Sequence, residues 1–259
     1  MFLKEESLKK KLVIIVPYRN RPEQLKIFQF HSKIYFNEDK MDKHLNLKLC
    51  FIEQANEKPF NYGRLSNAGY LIYEDYLDYL VVNNVDFLPM IADYSYCDHP
   101  LLLIKHGHNN LPMRPTKNSN WIVKGTKREN FFGNSVLIPK HVFKKVNGYS
   151  NSYWGWGYED TDLRKRIEVN NIDVGYRDGF YHPLLHDNLG FNINEKDEAV
   201  PSESHLLNKK KFDENWKNRD NYLNDGINNL KFEIRSNEEI YSNLRNEKLF
   251  EIRHIKIDF

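Results

Sequence analysis

The sequence predicts an α/β layered fold with a mostly parallel sheet, on three observations. Leu12–Pro17 (LVIIVP) is a continuous, largely β-branched run, the mark of a strand buried on both faces. Strand-length apolar stretches alternate with segments whose apolar residues recur at helical intervals. Short polar motifs follow the strand ends, where open parallel sheets hold their ligands.

The elements follow in order. Pro22 stands where a helix begins, and Leu25, Ile27, Phe28 and His31 follow at roughly helical spacing. Leu47–Ile52 reads as a second strand, and the spacing from Leu65 to Leu80 predicts a helix. Tyr79–Val82 and Val85–Phe87 suggest a third strand interrupted by two Asn, and Leu101–Ile104 a fourth. Phe131–Ile138 reads as a fifth, with Pro139 opening a helix that runs through Val146 to Gly148. Leu163 and Ile167 fit a further helix, residues 187–211 a mobile polar loop, and Leu230–Ile234 and Arg253–Ile257 late strands. No internal repeat is visible.

Composition removes several function classes. The 259 residues suit one large domain, and 38 Lys+Arg against 36 Asp+Glu give no field for nucleic acid or anionic lipid. Leu12–Val16 is the longest clean apolar run, far short of the roughly 20 residues of a membrane span. Lys4, Glu5, Glu6, Lys9, Lys10 and Lys11 break any signal-peptide core. Cys50 and Cys97 alone make neither a disulfide framework nor a thiolate metal site. The expected class is a soluble, cytoplasmic globular protein.

Four clusters could carry chemistry. Pro17-Tyr18-Arg19-Asn20-Arg21 sets two Arg at a strand end, able to fork onto diphosphate oxygens or simply to be exposed loop arginines. Asn84-Val85-Asp86 offers a carboxylate able to bridge a divalent ion to ligand phosphates, or an Asx turn. Tyr153 to Asp162 (YWGWGYEDTD) interleaves Gly with Trp ahead of three acidic residues in a first helical turn. Indole faces pack on sugar C–H faces, and nearby carboxylates in different environments suit general-base work. The helix dipole accounts for the acids but not for the Trp and Gly. His182 and His186, four apart, could share a transition-metal ion or be structural. No HExxH, CxxC, GxSxG or Walker pattern accompanies them.

Taken together and in this order, VIIVPYRNR, FNYGRLSNAGY, NVDFLPM, FFGNSVLIPK, YWGWGYEDTDLRKRI, the His186 segment, KFDENW and DGINNLKF resemble the β-1,4-galactosyltransferase family, glycosyltransferase family 7. The resemblance implies a single GT-A catalytic domain over 1–259, a Rossmann-like mixed sheet flanked by helices, with 187–211 as an acceptor lid. It implies Mn²⁺-dependent (or Mg²⁺-dependent), inverting transfer from a UDP-sugar to a saccharide or glycoconjugate. Pro17, Tyr18, Arg19 and Arg21 would hold UDP, Phe60 would lie beside the uracil, and Asp86 and His186 would bind the metal. Tyr62, Val85, Phe131 and Gly133 would complete the donor site, with Lys105 as a second phosphate contact. Trp156 would cover donor and acceptor and move with the lid. Asp160 would be the base, while Gly157, Glu159, Asp162 and Phe212 would shape the acceptor site.

Departures from the family pattern qualify these roles. Asn84 replaces an Asp. Pro183 occupies the place of a third metal ligand, leaving His182 or water to fill it. Tyr62 replaces an Arg, and Thr161 an Asp, which loosens the tie to an N-acetylglucosamine acceptor. Phe131 replaces a Tyr that restricts the donor to galactose, which admits UDP-GalNAc, although a Phe ring is as bulky. A member that binds sugar without turnover is the alternative. The few residues before the first strand point to a bacterial or viral relative building surface glycans; oligomeric state is left open.

Overall fold

The computed structural model describes residues 10–38, 46–104, 132–184, 191–193, 199–240 and 250–259, excluding the side chains of 37–38, 191–193 and 199. Strand β1 (Lys11–Tyr18) is buried from Leu12 onward because both faces of the sheet are covered. Leu12, Ile14 and Val16 meet Leu25, Phe28, Tyr35 and Phe36 of helix α1 (Pro22–Glu38). Val13 and Ile15 point the other way, towards Leu65 and Ala68 of α2 (Tyr62–Ile72). The same layer takes Val142 and Phe143 of α3 (Lys140–Lys145) and Leu163 and Ile167 of α4 (Glu159–Val169). The alternation of one strand thus builds two cores.

The sheet continues on both sides of β1. Parallel β2 (Asn46–Gln54) and β12 (Glu251–Asp258) lie on one side, and β11 (Glu233–Ile240) closes that edge antiparallel to β12. Parallel β3 (Tyr79–Asn83) lies on the other, followed by β6 (Ser135–Pro139), β5 (Leu101–Leu102) and β7 (Gly175–Tyr176). The order is β11-β12-β2-β1-β3-β6-β5-β7. Strand β4 (Phe87–Ile91) leaves this sheet to pair with β8 (Phe180–Pro183), and β9 (Phe191–Ile193) pairs with β10 (Ala199–Pro201) ahead of α5 (Glu203–Asn215). No helix among the described residues is long and apolar enough to cross a membrane.

Several boundaries differ from expectation: the fourth strand ends at Leu102 and the fifth begins at Ser135, short of the apolar runs that suggested them. Helix α2 stops at Ile72, not Leu80, because Tyr79–Val82 is claimed by pairing with Leu12–Ile15; Leu77 keeps the apolar spacing by entering the core from a turn. The interrupted third strand is two strands in separate sheets, with Asn84–Asp86 turning between them: the Phe87 amide donates to the Asn84 carbonyl at 3.1 Å. Residues 203–211, expected to be loop, are helical, capped by the Ser202 hydroxyl accepting from the His205 amide at 3.3 Å. The late strand begins at Glu233 rather than Leu230.

Candidate active site

Because β1 and β3 are parallel neighbours, their carboxyl ends bring the first two clusters together. Pro17 and Tyr18 finish β1 buried in the sheet. Asn20 then takes a left-handed φ of 52°, a turn that its short polar side chain tolerates, and Pro22 starts α1. The Arg21 guanidinium reaches the Asp86 carboxylate at 3.1 Å, 65 residues away in sequence. Arg19 donates to the Lys58 carbonyl. Asp86 is only 4% exposed, so its charge is held in the cleft wall. Val85 turns its side chain into the core, leaving only its backbone to face a ligand. The Asn84 amide donates to the Asn134 carbonyl at 2.8 Å, which seats buried Gly133 beside this turn.

Pairing of β4 with β8 returns the chain to Asp86, whose carbonyl accepts from the Leu184 amide at 2.7 Å, two residues before His186. His186, Lys105 and Phe131 lie outside the described residues. His182 is exposed and stands opposite Leu88, not Asp86, so the expectation that it replaces the missing ligand finds no support in the strand register. A buried carboxylate oxygen at Asp86, with an imidazole supplied two residues past Leu184, is a hard and borderline donor set that fits Mn²⁺ or Mg²⁺.

Tyr62 opens α2 behind the cap Asn61, whose side chain accepts from the Arg64 amide at 2.9 Å. Its ring centroid is 6.4 Å from Phe60 and 5.7 Å from Tyr149. Burial pushes its phenol well up, helped by Tyr149, Asp160, Glu159 and Asp86. Tyr62 therefore feels the carboxylates of both sides of the cleft.

The other side is built on strained backbone. Gly155, Gly157 and Tyr158 have φ of 80°, 101° and 73°, and a left-handed non-glycine residue costs on the order of 1–3 kcal/mol. A side chain at Gly157 would also begin 2.9 Å from the His205 ring. Packing against α5 holds this loop. His205 lies 5.1 Å from both the Trp156 and Tyr158 ring centroids, and Phe212 5.4 Å from Tyr158. The buried Asn208 amide reaches the carbonyls of Trp154, Trp156 and Gly157 at 3.0, 3.2 and 3.0 Å. Opposite, the Gly155 amide donates to the Phe60 carbonyl at 2.7 Å, tying the loop to the segment before α2, while the Trp156 indole stays 38% exposed.

Glu159 and Asp160 open α4 directly after this loop. A helix N-terminus ordinarily lowers a carboxyl pKa. Here burial wins: Glu159 is pushed up to about 6 against two backbone amides. Asp160 rises well above the usual range, through burial first and Glu159 second. Its Oδ1 is buried without a hydrogen-bond partner among the described residues, as is the Tyr149 hydroxyl, which burial and then Asp160 and Glu159 also push up. A desolvated carboxylate of this kind is a proton acceptor tuned towards neutral pH.

Asp162 is a correction. Expected to shape the acceptor site, it is 1% exposed and faces inward, accepting from Arg166 Nε at 2.6 Å, Trp216 Nε1 at 2.8 Å and the Tyr153 hydroxyl at 3.1 Å. Arg166, itself 1% exposed, also donates to the carbonyls of Gly148 and Asp225 at 3.2 and 2.8 Å. The network fixes α4 from behind. Sequence reasoning missed Arg166, Tyr149, His205 and Asn208; only position within a quoted motif could have flagged the first, and nothing local marks the others.

The model for the N-terminal region of glycosyl transferase group 7 matches residues 4–98, and that described as the N-terminal domain of galactosyltransferase matches 118–186. The chain is 32% identical to human β-1,4-galactosyltransferase 4 over 168 residues, covering 63% of this chain and 44% of that protein. It is 32% identical to xylosylprotein 4-β-galactosyltransferase of Caenorhabditis elegans over 165 residues, 63% and 52% of the two chains. The chain thus spans about half the length of these relatives. Among solved structures, the catalytic domain of Drosophila β1,4-galactosyltransferase 7 with xylobiose superposes with a TM-score of 0.66 at 23% identity, covering 96% of this chain and 94% of that one. A mutant of that enzyme with manganese, UDP-Gal and xylobiose gives 0.68 at 22%, with the same coverage. The shared architecture is the GT-A fold.

Proposed function

From the premise that this chain belongs to the glycosyltransferase group 7 family, we propose that it transfers galactose from UDP-galactose to a sugar hydroxyl with inversion, giving a β-linkage, of the β-1,4 type, in surface glycan or polysaccharide synthesis. The observation that carries this reading is the Asp160 carboxyl: raised in pKa, with its Oδ1 buried and without a partner among the described residues, across Tyr62 from the Asp86–Arg21 pair.

An acceptor hydroxyl is a poor nucleophile, so Asp160 takes its proton as the oxygen attacks the anomeric carbon. Attack opposite the departing UDP inverts an α-linked donor to a β-linked product. Arg19 and Arg21 meet the growing diphosphate charge, with Phe60 against the base. Asp86 and His186 would hold a divalent cation, which supplies Lewis-acid neutralisation of that leaving group. Trp156 lies over the reacting sugars. Its loop and the expected lid, 187–211, whose last residues form the start of α5, would keep out water, a competing acceptor. Phe212, beside Tyr158, supplies the apolar face of the acceptor site.

The test is UDP release from a panel of UDP-sugars, including UDP-GalNAc, with Mn²⁺ and with or without saccharide acceptors. Acceptor-dependent release from UDP-galactose is expected. UDP binding with no release from any donor overturns the reading in favour of a binding protein. His186→Ala should weaken the Mn²⁺ dependence, and an unchanged metal titration removes that residue from the site.

A further inference from the structure

The geometry points to a second metal site, for a borderline divalent transition ion of the zinc type, formed by Cys97, Asp98 and His99 at the end of the sheet remote from the cleft. It does not rest on the transferase reading. Cys97 Sγ lies 3.3 Å from His99 Nδ1 and 3.9 Å from Asp98 Oδ1, and Asp98 Oδ1 lies 2.9 Å from His99 Nδ1. A tetrahedral ion with bonds of about 2.0–2.3 Å spaces its ligands by about 3.3–3.8 Å, so the Cys97–His99 edge already matches and the Cys97–Asp98 edge is about 0.1 Å too long. The third is a hydrogen bond that the ion would open. Thiolate, imidazole and carboxylate together select zinc-like ions over Mg²⁺ or Mn²⁺.

The surroundings are shaped for this. His141, at the start of α3, lies near enough to Asp98 to act on its charge. Gly175 packs so closely that a Cβ there would sit 2.9 Å from His99 Nε2, so its lack of a side chain makes room for the imidazole. The cleft lies at the other end: Tyr79 pairs with Pro139 here, and Asn83 with Ser135 beside the cleft, roughly 13 Å apart along β3. On binding, the thiol proton passes to solvent as the S–metal bond forms.

The test is Co²⁺ titration of the full chain, read by thiolate-to-cobalt charge-transfer absorbance. Only Cys97 can give this band. Asp86 and His186 carry no sulfur, and Cys50 is fully buried with its thiol pushed up to about 12 by desolvation. One Co²⁺ per chain is expected, displaced by Zn²⁺ and untouched by excess Mg²⁺. Cys97→Ser should abolish the band, and His99→Ala and Asp98→Asn should each weaken binding about tenfold or more. Gly175→Ala should weaken it in the same direction. No band in the unaltered chain overturns the site; so does undiminished affinity in both His99→Ala and Asp98→Asn, which would mean a lone thiol.

Discussion

The two walls of the cleft are made by opposite means. The donor wall hangs from the ends of β1 and β3, strands fully buried in a parallel sheet, so Tyr18, Arg21 and Asp86 inherit the rigidity of the core. The acceptor wall is a loop with left-handed residues at 155, 157 and 158, kept in place by Asn208, Ser204 and the His205 ring of a helix whose own face is mostly exposed. A charged diphosphate calls for fixed opposite charge, whereas an acceptor that must enter and leave calls for a wall able to yield. The contrast repeats within α4: Asp160 Oδ1 is without a partner among the described residues, while Asp162, two residues on, has every oxygen occupied.

That contrast can be broken at several points. Asp160→Asn should lower turnover by about 10²–10⁴ while leaving UDP affinity unchanged, measured by steady-state kinetics and calorimetry. A near wild-type rate would move the base elsewhere. Asp162→Ala strands the buried Arg166 guanidinium and should destabilise the fold by about 3–5 kcal/mol in urea melts, the opposite pattern of stability loss before chemistry. Asn208→Ala removes the donor to three loop carbonyls and should cost about 1–3 kcal/mol, seen as a higher acceptor KM at constant UDP-sugar affinity. Equal changes in both constants would show that the loop serves the donor wall as well.

The smallest effect concerns pH. Raised carboxyl pKa values mean that the fold favours neutral Glu159 and Asp160. Their stabilising contribution is full below the ordinary carboxylate range near 4 and is lost as pH rises through the folded values, Glu159 at about 6 and Asp160 well above normal. Glu159→Gln removes one of two neighbouring negative charges. It should raise stability at pH 7 and shift the rising limb of the rate profile, set by the pair, to lower pH. An unmoved limb would separate Glu159 from the base.

Legibility in the sequence followed burial. Strands β1, β2 and β6 stood out because two covered faces demand uninterrupted apolar residues. Helix α5 was read as loop because ESHLLNKKKFDEN carries little apolar periodicity; its role comes through Asn208 and His205, and nothing in composition tells a buried Asn from a solvated one. The order of short motifs marked Asp86, Asp160 and the Trp-Gly loop. It could not tell Asp160 from Asp162, since which carboxylate turns inward depends on Arg166 and Trp216, four and 54 residues away. Nor could it show that Arg21 meets Asp86, a contact that the adjacency of β1 and β3 creates.

The outermost strand, β11, has a further consequence. Its sequence EIRSNEEI is exposed along nearly its whole length, with Glu233, Arg235, Glu238 and Glu239 on a sheet margin where, among the described residues, only one side is hydrogen-bonded to a neighbour. An incoming strand from another copy would have to desolvate those charges before gaining a single backbone bond. The sheet therefore ends its own growth at this margin, and crowding many copies together should not recruit it as a seed for fibrillar stacking.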